Sequence, residues 1–528
     1  MVQNGKKKFS LILLCLSLVI GLLAACSSGS TSGTDSNSSG GKTEDRNGGV
    51  LTMAIDGEPV GLGWMPNIRR PSELIVASTA LESLGRYDEK GIQQAWLAES
   101  WEADPNTKTL TIQLKKGVKF HDDTDFNAEA VKWNIEQYRA TKKPVLNEND
   151  TESVEVVDDH TVKLTMKEWN LDIIDRLLSL RITSPAAFEK NGQDWANSNP
   201  VGTGPFKLKE YQKGIQIEFE KFDGYWQEGK PYLDGVVWKI MPEAMTAEAS
   251  VKNGDINGIF DAPFEVAKNL SKEFDVLEME TGLGAAGSGL MLNSADPKSP
   301  FANKKVREAL SYAIDVESLI DTLTFGYAIK TDQFVVPTAY SYNPNLTKKS
   351  YDPKKAKKLL AEAGYPDGFK TTMDFSNSPE SQLLYTAVQG YLKEVGIDLE
   401  LSPNDNAKNQ ELVLSKWNGI INWGFKSQSN FYSGANSNFG VPGQLYAKGV
   451  THPQDVLDKL SEVQKAHDLE TQKQLYKELG QLIFEEHALA IPFYINTMPL
   501  IVDKNVQDSG FNKTEATFWE PEAAWLKK

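Results

Sequence analysis

Residues 97–123 read LAESWEADPNTKTLTIQLKKGVKFHDD. Within this stretch Leu110, Ile112 and Leu114 alternate with polar residues, and a period of two is typical of a strand with one buried face. Gly117 follows as a turn residue, before a second short apolar pair. The stretch therefore predicts a β-hairpin in the N-terminal half of the chain.

Strands and helices are predicted on both sides of this hairpin. A helix is expected from Ala128 to Arg139, because Asn127 is a good N-cap and apolar residues recur along one side. Alternation predicts a strand at 49–56 and a further hairpin at 154–166. In the second half the periodicity predicts helices at 304–324, 353–363, 383–395 and 453–484, and strands at 489–502.

This mixture indicates an α/β protein without a strict strand–helix–strand rhythm. The chain has 528 residues, which is more than one hydrophobic core usually serves. Two or more lobes are therefore expected.

The N-terminus has the features of an export signal. Lys6, Lys7 and Lys8 precede an apolar run that ends at Leu23, too short for a comfortable membrane span. The small residues before Cys26 resemble the bacterial lipobox. We therefore predict a signal peptide at 1–25 and a lipidated, Ser- and Gly-rich tether at 26–48.

Cysteine usage and charge exclude several classes of function. The chain has two cysteines, Cys15 and Cys26, which fall in the signal peptide and at the lipidation site, so disulfides and cysteine chemistry are not expected in the body. The net charge is −16, and removal of residues 1–25 takes away three lysines and no acid, leaving −19. An acidic chain without a basic stripe is not expected to bind nucleic acid.

The motifs for enzyme chemistry are weak. Residues 282–287 fit G-x-G-x-x-G, but residues 288–293 (SGLMLN) have the pattern of a strand, whereas a phosphate site needs a helix there. We interpret these glycines as a crossing between lobes. The five histidines lack metal-site spacing, so no metal held directly by the protein and no cofactor are expected. A carboxylate-pair hydrolase remains an alternative of a different class.

One aromatic segment has the character of a ligand wall. Trp417, Trp423 and Phe425 lie in a stretch rich in Gly and Asn. Binding pockets combine aromatic surface with a few polar groups. We therefore predict that these three residues line a pocket, although aromatic clusters also form cores.

Six blocks, in order, resemble the large bacterial solute-binding proteins of family 5, which serve peptide and nickel ABC transporters. The resemblance covers almost all of the predicted mature chain. The blocks are LAESW with the hairpin and HDD (97–123), VGTGPF (201–206), YW with KPYLD (225–234), NGDI (253–256), VREAL with AID (306–315) and YDP to LLAEAGY (351–365).

The resemblance implies a two-lobed, periplasmic-binding-protein-like α/β fold with a large first lobe, a two-segment hinge, and ligand enclosed between the lobes. It implies that the protein is not an enzyme but the receptor of an importer. The expected partners are a small-molecule or peptide ligand and the membrane permease. The expected domains are lobe I at 49–283 with a small extra subdomain, lobe II at 284–490, and a return to lobe I at 491–528.

The resemblance also suggests site residues while leaving the ligand open. Peptide binders of this family carry an acid after their Trp, where this chain has Lys426. In the nickel branch, which binds a metal chelate, an arginine before a Ser-Pro turn pairs with the chelator's carboxylates, and Arg181 resembles it. The predicted ligand is peptide-like, or a metal chelate or other carboxylate; an oligosaccharide is the alternative within the same fold. The protein is expected to be a monomer, anchored to the outer face of the cytoplasmic membrane through Cys26.

Overall fold

Strands and helices both occur throughout the computed structural model, which describes residues 45–68, 70–141, 150–277, 284–441, 443, 445–511 and 519–528. The predicted signal peptide and all but the end of the predicted tether lie outside the described residues. Residues Arg46–Lys528 form a compact unit. In the part of the chain that is described, no helix has both the length and the apolar character needed to span a bilayer.

The strands of the described residues are, in chain order, β1 Val50–Ile55, β2 Gly85–Tyr87, β3 Gln93–Ala95, β4 Ala98–Asp104, β5 Thr109–Leu114, β6 Thr151–Asp158, β7 Thr161–Met166, β8 Phe206–Gln212, β9 Gln216–Lys221, β10 Gly235–Ile240, β11 Gly258–Ile259, β12 Asp275–Leu277, β13 Ala286–Leu292, β14 Ala328–Lys330, β15 Phe369–Ser376, β16 Ile397–Asn404, β17 Ile420–Lys426, β18 Ala490–Asn496, β19 Leu500–Val502, β20 Val506–Gln507 and β21 Trp525–Leu526.

The α-helices of the same residues are α1 Pro71–Ala77, α2 Ala128–Ala140, α3 Leu171–Leu178, α4 Pro185–Asn191, α5 Gln193–Ala196, α6 Ala244–Lys252, α7 Phe264–Leu270, α8 Lys304–Ala313, α9 Val316–Leu323, α10 Pro353–Glu362, α11 Pro379–Glu394, α12 Asn406–Leu414, α13 Tyr432–Phe439, α14 Gln454–Lys465 and α15 Leu469–Gln481.

Two large mixed sheets organise the described residues, and we name the two lobes after them. The first lobe contains a seven-stranded sheet in the order β12-β19-β11-β1-β10-β9-β8, in which β1 runs parallel to β10 and β11. The second lobe contains a six-stranded sheet in the order β14-β18-β13-β17-β15-β16, in which β13 is antiparallel to both of its neighbours. The predicted two-lobed α/β architecture is confirmed.

The chain passes between these sheets twice. It leaves the first sheet at Leu277 and enters the second at Ala286, and it returns between Asn496 and Leu500. The segment predicted as a crossing from its glycines falls at the first passage, although residues 278–283 lie outside the described residues. The predicted return at residue 491 falls near the start of β18 rather than after its end, because β18 still pairs with β13 and β14.

The opening stretch contributes β4 and β5 to a small subdomain with a four-stranded antiparallel sheet, β4-β5-β7-β6. The hairpin predicted around Gly117 is wrong, because β5 pairs with β4 and β7 and residues 118–120 form no strand of this sheet. The predicted face is correct, since Leu110, Ile112 and Leu114 are all buried. The helix predicted at 128–139 is also confirmed, and the Asn127 side chain accepts a hydrogen bond from the Ala130 amide at 3.0 Å, as its N-cap role requires.

Two predicted long helices are each broken in the structure. The helix expected at 304–324 divides into α8 and α9, because Asp315 caps a new helix by accepting from the Ser318 amide at 3.1 Å. The helix expected at 453–484 divides into α14 and α15, where Asp468 caps the second one through the Thr471 amide. In the sequence the helical spacing of apolar residues continues across both breaks, so it did not reveal the N-caps at Asp315 and Asp468.

The structure predicts opposite effects for two Gly-to-Ala changes. A Cβ at Gly287 in β13 would lie 2.3 Å from ring carbons of Phe425, whereas a Cβ at Gly390 in α11 meets nothing within 4 Å. We expect Gly287→Ala to lower the free energy of unfolding by about 1–3 kcal/mol through overpacking. We expect Gly390→Ala to raise it by about 0.5–1 kcal/mol, because alanine favours a helix interior.

Chemical denaturation followed by circular dichroism measures both changes. Equal stability of Gly287→Ala and the parent protein would contradict the close approach of β13 to the Phe425 ring.

Candidate functional site

A cavity with a volume of about 1000 Å³ lies between the two lobes. Its first-lobe wall is formed where β1, β10 and β11 end, by residues that include Asp56, Met241 and Asp261. These three strands are parallel, so their carboxyl ends meet at one edge of the sheet. Ligands of open α/β sheets bind at this edge.

Two carboxylates stand on this first-lobe wall on firmly held backbone. Asp56 directly follows β1. Asp261 lies just after β11 and is anchored on both sides, since the Phe260 amide donates to the Ala54 carbonyl at 3.0 Å and the Ala262 amide donates to the Pro499 carbonyl at 2.8 Å. The φ of Asp261 is 52°, a left-handed conformation that Asp adopts more readily than most residues.

The cavity changes the acidity of Asp261. Its side chain keeps solvent-accessible surface toward the cavity, but the walls of the cleft surround it. Partial loss of water and, to a lesser degree, the charge of Asp56 raise the pKa of Asp261 to about 6. At neutral pH the ionised Asp261 therefore gives this wall negative charge. Its ionisation there costs free energy, which a bound cation would reduce.

The second-lobe wall carries the cavity's cation. Lys426 is the last residue of β17, its side chain is exposed, and it is paired in register with Ala286 of β13. Hydrogen bonds between Ser427 and the crossing segment continue this pairing, from the Ser427 amide to the Ala285 carbonyl at 2.9 Å and from the Gly284 amide to the Ser427 carbonyl. Lys426 is thus placed at the point where the chain enters the second lobe.

Apolar side chains face the same cavity from the second lobe. Phe325 is 38% exposed and Leu383 is 63% exposed, and both line the cavity. Contacts between the lobes run beside them, because Phe264 of α7 stacks on Tyr327 with centroids 6.4 Å apart, and the Lys268 ammonium lies 4.5 Å from the Phe325 ring centroid. The cavity therefore offers apolar and charged surface together.

Two of the predicted site residues, Phe425 and Lys426, line this cavity. Trp423 and Trp417, predicted beside them, do not, and the structure places both in the core at 1% and 2% exposure. Trp423 packs against Phe334 and Phe425 with centroids 5.2 and 4.5 Å away. The aromatic segment is thus mainly core, and only the end of its strand reaches the cavity.

Arg181 lies elsewhere as well. Its side chain is buried, and its guanidinium donates to the Ser78 hydroxyl at 2.6 Å. The backbone on either side is held in the interior, because the Ile182 amide donates to the Glu82 carbonyl and the Ser184 amide to the Val201 carbonyl. Arg181 is therefore not among the residues that line this cavity, and its predicted role in ligand binding stays a prediction.

The sequence analysis did not identify the acids that line the cavity. Asp56 closes a strand that the alternation predicts, so its position at a carboxyl end was a usable signal. Asp261 follows a strand of two residues, and such a strand is too short to recognise from periodicity. Glu265 and Glu380 come from helices that are distant in sequence, and they line one cavity only in the folded protein.

No ligand set for a metal is visible in the structure's described part, where no three His, Cys, Asp or Glu side chains are grouped to hold an ion. The histidines there mainly contact backbone and acids. His452 bonds to two carbonyl oxygens and His487 to Asp455. His121 is partly buried beside the Gly204 carbonyl, and loss of water lowers its pKa to about 4.

A mixed-polarity cavity between two lobes, joined by chain passages in both directions, defines a two-lobed ligand-binding protein. Comparison with known proteins gives the family. The model for bacterial extracellular solute-binding proteins, family 5, matches residues 93–439. This chain belongs to that family. The prediction of a binding protein of an ABC importer is confirmed, and the hydrolase alternative is not supported.

Individual relatives are similar to this chain over most of its length. The glutathione-binding protein GsiB of Salmonella choleraesuis is 33% identical over 443 residues, covering 80% of this chain and 83% of GsiB. The ABC transporter substrate-binding protein CtaP of Listeria monocytogenes superposes with a TM-score of 0.78 at 23% identity, covering 92% and 100% of the two chains. AgaA of A. tumefaciens R10, solved with agropinic acid, gives 0.68 at 26% identity, with coverages of 91% and 99%.

The raised pKa of Asp261 predicts a pH-dependent effect of Asp261→Asn. An acid whose pKa is raised on folding destabilises the protein when it is ionised, and this cost disappears where it is protonated in both states. We expect the variant to melt at a higher temperature than the parent at about pH 7.5, with the difference shrinking as the pH falls through about 6 toward 4.

Differential scanning fluorimetry over this pH range measures the effect. Asp223→Asn, an exposed acid outside the cavity lining, is the control and should show no such trend. A melting difference that does not change with pH would contradict the assignment.

Proposed function

We propose that this protein is the receptor for a short peptide-like solute, of the size of a tripeptide such as glutathione, which it holds between its lobes and delivers to an ABC permease. The observation that carries the proposal is the interlobe cavity of about 1000 Å³, with acids, a lysine and exposed apolar side chains on its walls. Such a mixture suits a ligand with both charges and an apolar part.

Two further points support a peptide-like ligand. The relative at 33% identity is named for glutathione, and its similarity extends over four fifths of this chain. Four carboxylates face the cavity, from Asp56, Asp261, Glu265 and Glu380. A purely anionic ligand such as a carboxylate chelate would meet this negative wall, so the chelate alternative is less favoured, and a neutral oligosaccharide would leave these charges without partners.

Binding of a ligand panel tests the proposal directly. Residues 46–528 should bind reduced glutathione or trialanine by isothermal titration calorimetry more tightly than a nickel–citrate chelate or maltotriose. Preference for a peptide-like probe is expected because each charged end of the ligand can form a charge-assisted contact in a site partly removed from water. Native mass spectrometry of the purified protein, before any ligand is added, supplies a second reading, since tight ligands survive purification.

Lys426→Met should weaken binding of the preferred peptide by about tenfold or more. Lys357→Met, an exposed lysine of α10 outside the cavity, is its matched control. Tight binding of the chelate or the sugar, with neither peptide bound, would overturn the proposed ligand class.

We also propose that Cys26 is lipidated after removal of residues 1–25, that residues 26–48 tether the body, and that the body works as a monomer outside the cell. The order of the lysines, the apolar run and the cysteine in the sequence supports this.

Replacement of the lipidation site tests the anchor. In the full-length chain expressed in a bacterial host, Cys26→Ser should move the protein from the membrane fraction to the soluble or secreted fraction, because the body has no other proposed anchor. Fractionation and intact-mass analysis measure the change, with Cys15→Ser as the matched control. Retention of Cys26→Ser at the membrane would contradict the anchor.

A further inference from the structure

The charges that line the interlobe cavity are divided between the lobes. The first lobe supplies Asp56, Asp261 and Glu265, all acids. The second lobe supplies Lys426 and Glu380. A ligand that spans the cavity therefore meets only acids on the first-lobe side, and a lysine together with Glu380 on the second-lobe side.

The carboxylates do not contribute equally to this pattern. Glu265 and Glu380 lie in the first turns of α7 and α11, where the partial positive charge of the helix N-terminus stabilises a carboxylate. Asp56 and Asp261 lie outside helices, and the charge of Asp56 adds to the loss of water in raising the pKa of Asp261. The Asp56–Asp261 pair is thus the part of the wall that gains most from a cation.

Apolar surface on the second-lobe side is an independent sign of a ligand. Phe325 and Leu383 expose large side chains into the cavity rather than into a core. Water contact with such surface is unfavourable, and an apolar ligand group would remove it.

We infer that the cavity orients a zwitterionic ligand, with its ammonium group on Asp56 and Asp261 of the first lobe, its carboxylate on Lys426 of the second lobe, and its apolar side chain against Phe325 and Leu383. This inference rests on the proposed function and adds the direction in which the ligand lies. Because each end of the ligand pairs with a different lobe, both contacts are complete only when the lobes are close, which is the condition for a ligand to drive closure.

Chemical removal of one ligand charge at a time tests the orientation. The probes are reduced glutathione and trialanine, each compared with its N-acetylated form and with its C-terminal amide, by calorimetry at about pH 7.5. For the parent protein each modification should weaken binding about tenfold or more, the scale of a lost charge-assisted contact.

The protein variants then assign each loss to one wall. In Asp56→Asn/Asp261→Asn the penalty for N-acetylation should fall to about threefold or less, while the penalty for the amide persists. In Lys426→Met the reverse is expected. Asp261→Asn alone provides a second variant should the double change unfold the protein, and Asp223→Asn and Lys357→Met are the charge-matched controls.

Each outcome bears on a defined claim. If a peptide probe binds but the acid variants keep the full acetylation penalty, or Lys426→Met removes it, the orientation is overturned while the peptide-receptor proposal stands. If neither probe binds the folded parent protein, the proposed ligand class and the orientation fall together.

Discussion

The requirement that the chain pass between two sheets in both directions controls the rest of this structure. The first passage ends as β13 enters the centre of the second sheet, and the second begins as its partner β18 ends. Both passages therefore leave from one edge of that sheet. β17, the other partner of β13, ends at the same edge and brings Phe425 and Lys426 to the cavity. The site is a consequence of where the backbone crosses.

Backbone pairing also explains which residues form the first-lobe wall of the cavity. On the first lobe, parallel β1, β10 and β11 direct their carboxyl ends to one edge, and the residues that follow them become the wall. Asp56 and Asp261 stand there on hydrogen-bonded main chain, so their charges cannot move far apart. Loss of water and, to a lesser degree, the charge of Asp56 raise the pKa of Asp261. A cation placed against these two acids would reduce this electrostatic cost.

The aromatic residues divide their roles by position along β17. Trp423 packs on Phe334 inside the second lobe, and Phe425 packs on Trp423 with one edge at the cavity. Gly287 makes this arrangement possible, because any larger residue opposite would meet the Phe425 ring. The aromatic segment is therefore a support for the cavity wall more than a ligand contact. Arg181 has a comparable structural role beneath α1, through its hydrogen bond to Ser78.

The sequence by itself determined the fold class, the family blocks, the buried face of β5 and the N-cap at Asn127, because periodicity and capping are local properties that survive in any tertiary arrangement. It also pointed to Phe425 and Lys426, which line the interlobe cavity. Only the tertiary structure decided that Asp56, Asp261, Phe325 and Leu383 share a cavity, and that Arg181, Trp417 and Trp423 are buried. The cavity residues come from segments that are distant in sequence, and which of them meet depends on strand pairing and lobe packing, whose long-range register no local pattern encodes.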